Sequence, residues 1–75
     1  MRDTNRIYPF INELRTIWFV YYPDLRFAQF MMNFLNYMTL ESKRDPFFIE
    51  DYVCLKYLKE YAKKSPLYKE NPIYE

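Results

Sequence analysis

The sequence predicts an all-α fold, a small three-helix domain with an extended C-terminal tail. Three observations carry this. Apolar side chains recur at helical spacing in three separate stretches. Glycine is absent from all 75 residues, which disfavours tight β-hairpins and favours helices joined by Asn-, Asp- and Pro-based turns. Proline and aspartate also cluster at the seams, as Pro23-Asp24 and Asp45-Pro46, where they stop one element and start the next.

The first helix is expected over about residues 6 to 21, with Thr4 or Asn5 accepting its first amide hydrogens and Pro9 in its first turn, where a missing N–H costs little. Ile7, Phe10, Ile11, Leu14, Ile17, Trp18 and Tyr21 form its apolar face, and Phe19 and Val20 lie on the otherwise polar back. Pro23 ends it. Asp24 is placed to cap a second helix over about 24 to 40, so that Tyr22-Pro23-Asp24 makes a tight helical corner.

That second helix, LRFAQFMMNFLNYMTL from Leu25 to Leu40, organises the chain. Its polar strip, Arg26, Gln29, Asn33 and Asn36, is one residue wide, and the helix is apolar over roughly 240° of its circumference. Such a helix needs cover on more than one side. After an exposed loop, Phe47, Phe48 and Ile49 are expected to return to the core. A third helix over about 50 to 64 follows, with Glu50 and Asp51 at its N-terminus and Lys63 and Lys64 at its C-terminus, both in agreement with the helix dipole. Pro66 ends it, and residues 65 to 75 form the tail, whose Leu67, Tyr68, Ile73 and Tyr74 suit it to lie along the domain or across a neighbour.

Composition narrows the function classes. Eleven basic against ten acidic residues leave a net charge of +1, too small a field to argue for nucleic acid and too small to keep apolar patches apart. With a single cysteine, Cys54, and no histidine, neither an internal disulfide nor a zinc site can be assembled; a cytoplasmic setting is the simplest expectation. The N-terminal residues lack the apolar core of a signal peptide. The uncharged run from Phe27 to Leu40 is too short to span a bilayer, so no membrane is expected. No catalytic set and no cofactor-binding or metal motif stands out: Glu50-Asp51 with Asp24 or Asp45 lacks the spacing of a metal loop. Lys56, Lys59, Lys63 and Lys64 could touch phosphates, but Glu60 interrupts them and a solvated face is the plain reading.

The aromatics say most. Seven Phe, nine Tyr and one Trp exceed what three short helices can comfortably enclose. The surplus suits an apolar surface whose rim can hydrogen-bond, against the alternative of a Tyr-rich monomer with hydroxyls reaching solvent. Phe30, Phe34, Tyr37 and Met38 of the second helix, joined by Phe19 of the first, are the candidate interface residues, most simply of a two-fold dimer.

The segments RIYPFINELRTIW, YPDLRFAQFMMNF and DPFFIEDYVCLKYL resemble a family of short bacterial and prophage proteins of unassigned function. Their shared marks are a Trp near the end of the first helix, a Pro-Asp-Leu-Arg-x-x-Gln corner, and an Asp-Pro-Phe-x-x-Glu-Asp start to the last. Here these are Trp18, Pro23, Asp24, Leu25, Arg26, Gln29, Asp45, Pro46, Phe47, the aromatic Phe48 that follows it, Glu50 and Asp51. The resemblance covers about residues 6 to 60 and implies no activity. It points to a polar bracket in which Arg26 and Gln29 meet Glu50 and Asp51.

The leading expectation is therefore a non-enzymatic protein-interaction module, an adaptor or a phage or host inhibitor, working through a Tyr-, Met- and Phe-rich helical face. Its partner would be a second copy or another protein. The alternative is a helix-turn-helix-like nucleic-acid-binding regulator, which the apolar would-be recognition helix and the charge balance oppose.

Overall fold

The computed structural model of the protein describes residues 2–74; residue 1 of the lead-in and residue 75 of the expected tail lie outside it. Three α-helices, α1 (Ile7–Tyr21), α2 (Phe27–Ser42) and α3 (Asp51–Ala62), are accompanied by short 3-10 turns at Thr4–Arg6, Pro46–Phe48 and Pro66–Lys69, and no strand occurs among the described residues. The all-α class expected from periodicity is present.

Local chemistry sets each boundary. The turn leading into α1 is capped by Asp3, not by Thr4 or Asn5: its Oδ1 accepts the Asn5 N–H at 2.9 Å. α1 ends ahead of Pro23 as expected, the Tyr22 N–H closing the last turn on the Trp18 carbonyl at 3.1 Å. α2 starts at Phe27, three residues later than expected, and Asp24 does not cap it. The chain first needs a turn to reverse direction, closed by the Leu25 N–H on the Tyr22 carbonyl at 3.2 Å, and Arg26 is still extended at φ −69°, ψ 156°. The cap comes from within the helix, where the Gln29 Oε1 accepts the Arg26 N–H at 2.9 Å.

The far end of α2 reaches Ser42 and stops at Lys43, which adopts the left-handed conformation (φ 57°, ψ 33°). Glycine usually takes this position; in a chain without glycine a lysine bears the strain. Glu50 is the N-terminal cap residue of α3, its carbonyl accepting from Val53 and Cys54, and Asp51 sits in the first turn. α3 closes at Ala62, two residues early, because Lys63, Lys64 and Ser65 fold into successive i→i−3 turns before Pro66 forces Ser65 to be extended.

The core is one cluster: Ile17 and Tyr21 from α1, Phe30, Phe34 and Met38 from α2, Leu58 and Ala62 from α3. α3 packs against both other helices. The corner between α1 and α2 is held by Trp18, whose ring stacks on Phe30 at 5.8 Å and 7° while its indole N–H donates to the Leu25 carbonyl at 2.9 Å. The tail opens with the Pro66–Lys69 turn and then lies against α1. There the Tyr21 hydroxyl donates to the Asn71 carbonyl at 2.5 Å and accepts the Ile73 N–H at 3.2 Å.

Phe47 and Phe48 depart from expectation. They do not return to the core but remain 84% and 65% exposed, packed edge-on against each other at 5.0 Å; only Ile49 of this trio reaches the core cluster. The Asp45 carboxylate accepts the Phe47 N–H at 2.9 Å, which commits Pro46–Phe48 to a tight turn on the surface.

Candidate interaction surface

The five residues proposed for an interface separate sharply in three dimensions. Phe30, Phe34 and Met38 are fully buried, so they belong to the monomer core and not to a free face. At i, i+4 and i+8 they form one stripe of α2, along which Phe30 meets Trp18 and Tyr22 and Phe30 and Phe34 meet Tyr61 of α3. Tyr37 is half-buried, its ring 5.3 Å from Tyr61; burial, with Glu60 and Glu41 nearby, pushes its hydroxyl pKa up. Phe19 alone stands in solvent, 78% exposed.

Around Phe19 the surface is built by the corner. Trp18, the next residue back, packs against the core, and its ring also meets Phe27, itself 57% exposed, at 5.7 Å. Pro23 rigidifies the turn beside them. Arg15, Trp18, Phe19 and Pro23 line a hollow of about 410 Å³, and a smaller one of about 320 Å³ adjoins it along Arg15, Thr16, Phe19 and Val20. Two exposed phenylalanines, a supporting tryptophan and a flanking arginine are thus held on a hydrogen-bonded corner. These are residue types that dominate protein-binding hot spots. Phe27 was missed by sequence reasoning because the expected helix start near residue 24 set it inside a continuous apolar run, whereas it is the first residue of α2; its place just after the corner was the available signal.

The predicted polar bracket does not form. Gln29 is occupied with the cap of α2, and Glu50 and Asp51 instead meet the N-terminal arm: the Arg2 Nη2 lies 3.0 Å from Glu50 and the Arg6 Nε 2.8 Å from Asp51. Arg26 and Gln29 sit at the corner end of α2, whereas the start of α3 packs beside the start of α1, so the two pairs belong to different ends of the domain. The two ion pairs instead rim a groove of about 480 Å³ floored by Pro9, Phe10, Tyr52 and Leu55. Both are solvent-exposed and contribute little stability.

The chemistry available for catalysis is sparse. Burial, reinforced by Asp51, raises the Cys54 thiol pKa and keeps it protonated, the reverse of an activated nucleophile. Among the described residues no group of three or more His, Cys, Asp or Glu is placed to hold a metal, and no helix is long and apolar enough to cross a membrane. No family model, curated protein or solved structure matches the chain.

Proposed function

We propose that the protein is a small interaction module that binds another protein through the aromatic corner formed by Phe19, Phe27, Trp18 and Pro23, and that a second copy of the chain is its simplest partner. One observation carries the reading: the core closes without Phe19 and Phe27, which remain largely in water on the two helices that flank the corner. At these exposures the two rings present roughly 200–300 Å² of aromatic surface, and the surrounding Trp18, Pro23 and Arg15 bring the patch toward the size that marks recognition sites on soluble proteins. Isologous pairing would bury the patch against itself.

A role as adaptor or inhibitor suits a module of this size, which holds a partner and performs no chemistry on it. A nucleic-acid partner has less support. The outward side of α2, where a recognition helix would read base edges, presents Met32 and Leu40 to solvent and little positive charge.

Light scattering over a hundredfold dilution tests the pairing. Mass above one chain at high concentration, reduced by Phe19→Ser with Phe27→Ser, is the expected result. A mass of one chain throughout would end the self-association reading.

A further inference from the structure

Away from the aromatic corner, α3 and the tail border an open groove of about 580 Å³. Lys56 and Lys59 lie on one face of α3, three residues apart, and Lys63 follows in the turn just past the helix end; all three line the groove. Ile73 and Tyr74 form the facing wall, and the Lys59 ammonium sits over the Tyr74 ring at 5.7 Å from its centre. Glu60 is the one acid in the lining. Among the described residues the only ion pairs are Arg2 with Glu50 and Arg6 with Asp51, so none of the three ammoniums meets a carboxylate there. Lys59 and Lys63, one turn apart, repel each other. A basic helix face alone would need no explanation; here the folded-back tail stands beside it, so that the lysines share one side of an open groove.

We propose that this groove binds a compact polyphosphate group, with Lys56, Lys59 and Lys63 as its ligands. The reading is independent of the interaction surface. Lys56 lies about 9 Å from the end of α3 along its axis and Lys63 just past that end, a span that two or three linked phosphates and flexible lysine stems can bridge. Ammonium groups hold phosphate as mobile point charges, so the site selects charge density over shape. With a net charge of +1, the protein lacks the extended basic surface that a nucleic-acid backbone requires. A free polyphosphate and a multiply phosphorylated lipid headgroup share the chemistry.

The wall is responsive as well. The Tyr74 hydroxyl is buried without a hydrogen-bond partner, and the tail is tied by the Ile73 N–H to the Tyr21 hydroxyl and the Tyr74 N–H to the Tyr68 hydroxyl. Because Ile73 and Tyr74 line the groove, occupancy is expected to report at their amides.

The test is an NMR titration of the full chain with sodium tripolyphosphate at low ionic strength, where screening is weak. Saturable shifts at Lys56, Lys59, Lys63, Ile73 and Tyr74 are expected, with affinity about tenfold weaker or worse in K56Q/K59Q/K63Q. Should that triple variant fail to fold by circular dichroism, the exposed single changes K56Q and K63Q each weaken binding in its place. Co-sedimentation with vesicles carrying a bisphosphorylated inositol lipid, lost in the same variants, would assign the headgroup as the source. No saturable shift together with no vesicle binding, equal affinity in a folded lysine variant, or shifts confined to the Arg2 and Arg6 end would each overturn the site.

Discussion

The Ser65 hydroxyl donates a 2.6 Å hydrogen bond to the Tyr21 carbonyl while accepting the Leu67 N–H at 3.1 Å, so one side chain joins the end of α1 to the turn that follows α3. Ser65 is the only buried polar residue among those described, at 4% exposure. Ser65→Ala leaves a carbonyl and an N–H unpaired in the interior and should cost about 1–3 kcal/mol. Urea denaturation with an unchanged m-value measures it; a cost below the error would show that water replaces the hydroxyl.

Tyr22 and Tyr61 form a second link between the same helices. Their rings stack at 4.7 Å and 9°, and the Tyr22 hydroxyl donates to the Tyr61 carbonyl at 2.7 Å. Tyr22→Phe keeps the stack and removes the hydrogen bond, for an expected loss of about 1 kcal/mol.

Alkaline pH should unfold the protein through these tyrosines. Burial, with Tyr61 beside it, raises the pKa of Tyr22 far above its ordinary 10.0. Burial likewise raises those of Tyr21, Tyr37 and Tyr61. The folded state thus keeps protons that the unfolded chain releases, and its stability is intact below pH 10 and falls as pH rises beyond it. Thermal melts from pH 8 to 12 should show this decline, with a shallower slope in Tyr22→Phe.

The start of α2 offers a paired comparison. Gln29→Ala removes the side chain that caps the helix and should cost about 0.5–1 kcal/mol, whereas Asp24→Ala, at an exposed turn position, should stay within about 0.5 kcal/mol of the parent. A larger effect at Asp24 than at Gln29 would place the helix start nearer the proline.

At the other end of α2, Lys43→Gly should raise stability by up to about 1 kcal/mol, since it relieves a side chain held at φ 57° at some entropic cost in the unfolded chain. An unchanged or lower melting midpoint would mean that the lysine side chain contributes more than its backbone costs.

Much of this was readable one residue at a time. The helix stop before Pro23, the absence of glycine-dependent hairpins, and the acidic start of α3 at Glu50 and Asp51 depend on backbone sterics and local electrostatics, which act within a few residues. The sequence by itself therefore determined an all-α chain of three helices and roughly where each lies. It could not determine which apolar residues are inside. α2 is apolar around most of its circumference, so Phe30 and Phe27 look equivalent by periodicity. Only the packing of α3 onto the Phe30, Phe34 and Met38 stripe, and of Trp18 into the corner, makes one of them core and leaves the other in solvent. The partners of Glu50 and Asp51 were hidden for the same reason: charge pairs are chosen by which helix ends meet, and Arg2 and Arg6 meet α3 only once α1 has packed beside it. The lysine face of α3 reads as ordinary solvated charge until the tail folds back across it, a contact made by Tyr21 and Tyr68 from elsewhere in the chain. Burial is a property of surfaces brought together, and tertiary structure alone supplies the second surface.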